Sequence, residues 1–428
     1  MASTARHYRR NAMSHRAVWG AVLGAVVVAA LVVGGLRPAA RLAPDVAHAQ
    51  AAYKYTGAAS CGASNCHGST KPKADFPRLN ENIVWFQKDK HAKAYATLTN
   101  EKLKSGVSPA KIAQNLKIAK ATESTKCLVC HAVDVKPELR GPKFDISEGV
   151  HCDGCHGPAE KWLEPHAEKG WTHEQSVKLG MYDTKNFLLR AEKCVSCHLQ
   201  IDHEMVAAGH PDLLAFELDT FSATMPPHWR DKGTWAGTKA WATGQVISLR
   251  EAAKQLGDRA SGNASGALLT DALAKVQGHG AVVRVLLGAV APDAQKPLEA
   301  DVAALADAVG KGDKAKVAAT AKNVQAAMNA QAPKVAARDF DEASTRKIMD
   351  DIVGSGPAIA ATGLRAAEQG AMALDRLYNT YSKAPGKKAD KAPGEALDKM
   401  FATLEDPKKF DAKTYGAAVK AFGDALGK

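Results

Sequence analysis

Every cysteine in this 428-residue chain belongs to one of four pairs, and each pair is followed at once by a histidine. The stretches are CGASNCH at Cys61, Cys66 and His67; CLVCH at Cys127, Cys130 and His131; CDGCH at Cys152, Cys155 and His156; and CVSCH at Cys194, Cys197 and His198. Two thiols this close can reach the two vinyl groups of one porphyrin, and the next residue then lies under the ring, where an imidazole can bind iron. C-x-x-C-H is therefore the spacing of covalent haem c.

Other uses of cysteine explain less. Cys127/Cys130 and Cys152/Cys155 are separated by 21 residues, close to a zinc-ribbon spacing, but zinc leaves the recurrent histidines without a role. A disulfide framework has no need of them either. Thioredoxin-like chemistry expects a βαβ setting that is absent around these motifs. The first unit has four residues between its cysteines instead of two. Its insert GASN is small and turn-forming, with Gly62 and Asn65 tolerant of unusual backbone angles, so a bulge costs little. A lone Cys61–Cys66 disulfide is the alternative at that site.

The formal charge is +12, of which residues 1–50 carry +5, and no later segment is strongly basic. Lys102, Lys104, Lys111, Lys117 and Lys120 form the nearest approach to a basic run and read as a solvated helix face. Four haems would bring about eight propionate charges, which offsets the remaining excess. No nucleic-acid partner is expected.

Before the cysteines, a basic N-terminus leads into twenty uncharged residues, Ala17 to Leu36, followed by AHA at Ala47 to Ala49. Twenty apolar residues suffice for a membrane anchor, whereas AHA suits cleavage of a signal peptide. Both readings export the chain after about Gln50. The expected location is the periplasm or the outer face of the cytoplasmic membrane, with membrane association through an uncleaved anchor.

Four haems need up to four further axial ligands. His91, His166 and His210 are the first candidates, then His203, His228 and His151; His173 lies in the same segment. His91 sits where Trp85, Lys88, His91 and Tyr95 recur at helical spacing, which predicts a helix through it. His166 follows the third unit on a Pro-started turn. His210, in GHP, is the first choice for the fourth haem, and His151, directly before Cys152, is placed to bind a neighbouring haem or none.

At these residues the chain resembles the cytochrome c-554 family, tetrahaem cytochromes that take electrons from hydroxylamine oxidoreductase. The likeness is carried by HAKA at His91, GVHCDGCHGP at the third unit, His166 after it and CVSCHL at the fourth, over roughly residues 55–200. It implies a mostly helical, haem-packed domain in which His166 would ligate the first haem, His91 the third and a later histidine the fourth. The second haem, at His131, would keep an open face. The four-residue insert and the extra His151 depart from the family pattern. After Leu199, AAGHP and PPHW are similar to larger multihaem cytochromes, which puts the hydroxylamine partner in doubt.

From Trp235 onward there is no cysteine, one histidine (His279) and abundant alanine. Leu364, Ala367, Ala371, Leu374, Tyr378 and Tyr381 recur at helical steps, as do Tyr415, Val419, Phe422 and Leu426. These stripes predict antiparallel helices in a bundle, punctuated by GSGP and by the lysine-rich KAPGKKADKAPGE as a linker, with His279 of QGHGA in a loop. The expected fold class is mainly α: a signal or anchor over 1–50, a haem-packed multihaem cytochrome c domain over 51–235 and an Ala-rich helical domain over 236–428. The expected function is electron transfer between redox partner proteins, an upstream donor and a downstream acceptor. Alternatives are an oxidoreductase with one open haem acting on a small nitrogen or oxygen compound, and a structural subunit of a respiratory complex. No catalytic residue and no oligomeric state are assigned.

Overall fold

The computed structural model describes residues 53–101, 106–213, 215–262, 264–387 and 390–427. The segment Ala17–Leu36, the AHA site, Lys102 and Lys104 lie outside these residues. Among the described residues the protein is helical and contains no strand; one isolated bridge joins Tyr55 to Arg140. Among them, no helix is long and apolar enough to cross a membrane. The chain divides into two compact units. One holds the described residues up to Pro211 together with Met225–Arg230, and the other holds Asp212–Thr224 and the chain from Asp231 onward.

The first unit is made of short helices: α1 (Ala58–Cys61), α2 (Glu81–Lys88), α3 (Pro109–Asn115), α4 (Thr125–His131), α5 (Cys152–His156), α6 (His173–Lys178), α7 (Phe187–Val195) and α8 (His203–Ala207). Their starts are set by local side chains that take up free amide groups. Ser108 accepts from the Lys111 amide, Asn186 from Leu188 and Leu189, Asp202 from Met205, and Thr172 forms a capping box with Gln175. Few of these helices have an apolar face long enough to pack alone; two small apolar clusters among the described residues are Ile112 with Ala208, and Ala113 with Ala121 and Cys127. Lys111, Lys117 and Lys120 are exposed.

The second unit comprises α9 (Leu218–Thr224), α10 (Ala236–Ser261), α11 (Ala267–Val290), α12 (Pro292–Gly310), α13 (Lys314–Ala337), α14 (Glu342–Gly354), α15 (Gly356–Thr362), α16 (Leu364–Tyr381), α17 (Lys391–Ala402) and α18 (Ala412–Leu426). Helix α10 is its centre and packs against α11, α13 and α16. Trp241, Val246, Ile247, Leu249 and Leu256 are fully buried on several of its faces. Small residues permit the close approach: a Cβ on Gly244 would meet Leu218 at 2.6 Å, and one on Gly257 would meet Ala321 at 3.0 Å. The stripe Tyr415, Val419, Phe422 and Leu426 is buried as its spacing implies; on α16 the expected Ala367, Ala371 and Leu374 are buried together with Ala366, Gly370, Ala373 and Leu377, whereas Leu364, Tyr378 and Tyr381 are only partly buried.

Two expectations are corrected. His279 is not in a loop: it is buried in the middle of α11. The glycines beside it serve packing, since a Cβ on Gly278 would lie 3.1 Å from the Arg365 carbonyl oxygen. Nor is KAPGKKADKAPGE wholly a linker, because Asp390 caps α17 by accepting from the Ala392 amide and the helix starts at Lys391. Pro393 falls in the first turn, where a missing amide hydrogen costs nothing.

A polar line crosses the core of this unit. His279 Nδ1 donates to Gln245 Oε1 at 2.9 Å, Gln245 Nε2 to Gln369 Oε1 at 3.1 Å, and Gln369 Nε2 to Glu217 Oε1 at 2.5 Å. Burial pushes the Glu217 carboxyl from 4.5 up to about 7; the Gln369 bond opposes this, and Asp219 and Glu368 add to it. A carboxyl raised in the folded state stabilises that state fully below its unfolded pKa, and the contribution is lost as pH rises through about 7. The second unit should therefore melt lower at about pH 8 than at about pH 5 by several degrees. Glu217→Gln keeps the acceptor for Gln369 and should flatten that dependence. Far-UV melting of the full chain across pH checks this, and equal slopes for both proteins would refute it.

Candidate haem-binding site

At the regular units the cysteines and histidine occupy one helical turn. His198 N donates to the Cys194 carbonyl at 2.9 Å, four residues back, and α4 and α5 span the second and third units. In the first unit His67 N donates to the carbonyl of Cys61 at 3.1 Å, which is again the first cysteine although it lies six residues back. The insert is thus looped out: Ala63, Ser64 and Asn65 are exposed, while Cys61, Cys66 and His67 stay half-buried. Gly68 closes the loop, because a Cβ there would fall 1.9 Å from the Gly62 carbonyl oxygen.

The histidines from different units come together in pairs. The rings of His67 and His166 have centroids 6.1 Å apart and planes within 7° of parallel. Those of His91 and His198 are 6.2 Å apart, with planes at 84°. Two imidazoles bound through nitrogen to one metal, with bonds of about 2 Å, put their ring centres roughly 6 Å apart. His228 is the strongest charged neighbour of the buried His156, and His210 is the charged neighbour of His131. Burial pushes both His131 and His156 down to about 4, so each ring is held neutral, the form that binds metal.

Six of the histidines, His67, His91, His131, His166, His210 and His228, are oriented by a hydrogen bond at Nδ1, which leaves Nε2 for a metal. His67 Nδ1 meets Glu81 Oε2 at 2.9 Å, His91 meets Asp89 Oδ1 at 2.9 Å, and His131 meets the Ala94 carbonyl at 2.8 Å and the Thr97 hydroxyl at 2.9 Å. Carbonyls of Leu163, Pro211 and Pro226 take the same role for His166, His210 and His228. Burial resists charge on Asp89, yet the bonds from His91 hold its carboxyl below the ordinary range. His173 is the reverse case, with Nε2 bound to Asp183 at 2.8 Å.

His91 departs from its expected setting. Helix α2 stops at Lys88, Asp89 is extended, and His91–Lys93 is a separate 3-10 turn. Asp89 causes the break by accepting both the His91 amide and its ring. The His91 carbonyl takes the Val150 amide at 3.0 Å, beside the third unit, while its ring lies against His198 of the fourth. That contact differs from the pairing with the third haem that the resemblance implies. His203 starts α8 and is only partly buried. His151 is 1% exposed and lies against Phe144, with its Nδ1 3.4 Å from Asp153 Oδ2 and no hydrogen-bond partner on Nε2.

The thiols link the units. Cys152 hydrogen-bonds Cys61, which with burial pushes its pKa well up. Cys197 hydrogen-bonds Cys130 and is pulled down to about 7. Cys155 is pushed to about 12 by burial, with Cys197 and Cys152 among its neighbours. None of the eight cysteines is in a disulfide. The units therefore neighbour one another in the order first, third, fourth, second, and the cysteines of the second and third do not gather as a zinc ribbon requires. Paired thiols, neutral buried imidazoles and rings spaced for one metal are a donor set that fits haem c.

Sequence reasoning missed Glu81, Asp89 and Asp153. Asp153, between the third pair of cysteines, is 2% exposed and accepts from the amides of Gly57 and Ala159 at 2.8 and 3.2 Å. Only Asp89 had a local signal, the D-x-H spacing to His91.

Residues 60–157 match the family model for cytochrome c554 and c-prime. No curated protein and no solved structure matches the chain. The matched region covers the first three cysteine-histidine units and agrees with the resemblance read from their flanks. It supports a c-type cytochrome role in electron transfer, with covalently attached haem c and its iron.

Gly149 brings the His91 backbone to the third unit. It has φ +75, and a Cβ there would lie 2.6 Å from the His91 carbonyl oxygen, whereas Gly170, at φ +86, has open space around it. Gly149→Ala should lower stability by more than Gly170→Ala, which pays only backbone strain of order 1–3 kcal/mol. Denaturant titration of the haem-loaded protein measures both, and equal losses would count against the contact.

Proposed function

We propose that this chain is an exported tetrahaem c-type cytochrome that carries electrons between redox partner proteins at the periplasm or the outer face of the cytoplasmic membrane. The observation that carries the reading is the two imidazole pairs, His67 with His166 and His198 with His91, each spaced for a single iron. Cys61/Cys66, Cys127/Cys130, Cys152/Cys155 and Cys194/Cys197 would each hold one haem. His131 with His210 and His156 with His228 complete the axial sets. When bound, haem c supplies reversible one-electron exchange at iron, and imidazole on both faces favours a low-spin centre suited to carrying electrons.

The chain's own residues set the conditions. Glu81, Asp89 and the Ala94 carbonyl fix ring orientation and strengthen each imidazole as a donor, and burial keeps the rings neutral. The thiol order first, third, fourth, second gives a run of adjacent centres whose ends belong to the first and second units. Donor and acceptor would then be served at the two ends.

Pyridine haemochrome analysis of the purified protein should give four covalent haems, and Cys61→Ala with Cys66→Ala should give three. Four haems with low-spin electron paramagnetic resonance signals support the carrier. A high-spin signal that responds to cyanide would transfer the argument to an enzyme with an open haem, and a count of three in the unmodified protein would remove the first unit.

A further inference from the structure

Directly after His67 the chain runs out to the surface and back before α2 begins. Every residue from Thr70 to Arg78 is exposed. Lys71, Lys73 and Arg78 stand there against a single acid, Asp75. Among them Phe76 is 40% exposed, one of two large hydrophobic side chains so placed among the described residues. The loop is nevertheless tied across its base. Ser69 N donates to the Leu79 carbonyl at 2.7 Å and Lys73 N to that of Arg78 at 2.9 Å, while the Ser69 hydroxyl takes the Lys71 amide at 3.2 Å. Its cations and its aromatic ring are thus carried on a pre-formed turn, which lowers the ordering cost of any contact they make.

These cations are not consumed within the chain. Among the described residues none of Lys71, Lys73 and Arg78 is in an ion pair. Lys120 and Lys126 of the same compact unit, by contrast, are met by Glu123 and Glu204. The loop also touches the proposed haem ligand through one carboxylate. Glu81 Oε1 accepts the Arg78 amide at 2.7 Å, and Glu81 Oε2 meets His67 Nδ1 at 2.9 Å. Electron tunnelling decays steeply with distance, so a partner has to seat close to an end of the haem run, and the first cysteine-histidine unit is such an end.

We infer that Lys71–Arg78 is the docking loop for a redox partner protein with an acidic surface, Phe76 forming the apolar contact and Lys71, Lys73 and Arg78 steering approach. An exposed aromatic residue rimmed by cations is the composition of a small protein interface. Unpaired charge of one sign selects a partner of the other and speeds encounter. An anionic lipid surface favours clusters of about four to eight cations, and here three share the loop with an acid. The inference rests on the electron-carrier reading and names the chemistry of one partner.

Reduction of the haem-loaded full-length protein by reduced plant-type ferredoxin, an acidic protein, tests it in stopped flow. The second-order rate should fall as ionic strength rises from about 0.02 to about 0.2 M. Lys71→Glu with Lys73→Glu should lower the low-salt rate by roughly tenfold or more and flatten the salt dependence. Lys71→Gln with Lys73→Gln should give a smaller loss in the same direction, and Phe76→Ala should slow the reaction by roughly threefold without changing its salt slope. Lys111→Glu with Lys117→Glu makes the same change in net charge elsewhere and should leave the rate within about twofold of the parent. Equal losses from the two glutamate pairs would overturn the inference. So would loop-dependent binding to phosphatidylserine vesicles combined with unchanged ferredoxin rates, which would assign the loop to a lipid surface. Reduction by the small, uncharged deazariboflavin radical separates this failure from that of the premise. If the radical reduces the intact protein and ferredoxin does not, the carrier reading loses its support and the loop falls with it; if ferredoxin reduces intact and loop-reversed proteins alike, only the loop falls.

Discussion

A hydrogen bond at Nδ1 is the constraint that orients six of the imidazoles in the haem-binding unit. An imidazole has two nitrogens, and a ring free to rotate or to change tautomer is a poor ligand. Glu81, Asp89, Ala94, Leu163, Pro211 and Pro226 each occupy one Nδ1 and so decide which nitrogen faces the metal position. The acceptors fall where short helices end or turns begin, since that is where carbonyls and capping side chains are not already used within a helix. Brief helices interrupted by turns are thus what this unit needs, and longer regular helices would hide the acceptors it uses.

How much of this could be read in the sequence follows from how local each feature is. The cysteine-histidine units are contiguous, so their positions were legible outright. So was the burial of Tyr415, Val419, Phe422 and Leu426, because periodicity reports a single face. The pairing of rings was not legible. His91 reaches His198 across more than a hundred residues, and the helix expected through it is broken by Asp89, a side chain whose preference for its own backbone competes with helix. His279 was misread for a related reason: flanking glycines look like a loop in a sequence and become close helix contacts in a fold. Glu81 lies 14 residues from His67, a separation that no periodicity marks.

The two units solve burial differently. The C-terminal helices form a core from their own side chains, with α10 enclosed and alanine and glycine allowing close approach. The N-terminal unit buries Trp85, Trp162, Leu199, Ile201 and Met205, but it also gives buried volume to the thiols Cys127 and Cys130 and to the imidazoles of His131 and His151. A chain of that kind leaves space to be filled by what it binds, which agrees with four attachment units in so short a stretch. The excess of basic residues beyond residue 50 fits the same account, since propionates are the charges it would meet.

The long first unit fits a position at the end of the order set by the thiols. Its insert points outward, with Ala63, Ser64 and Asn65 exposed, and it still returns His67 to the carbonyl of Cys61. The third unit, inside that order, has no such freedom. Asp153 is tied to Gly57 and Ala159, and a Cβ on Gly154 would lie 2.9 Å from Val150 and 3.1 Å from Val133. Two more residues between Cys152 and Cys155 would have to displace those contacts, whereas between Cys61 and Cys66 they displace only water. An irregular spacing is therefore tolerated at a unit whose loop has solvent to enter.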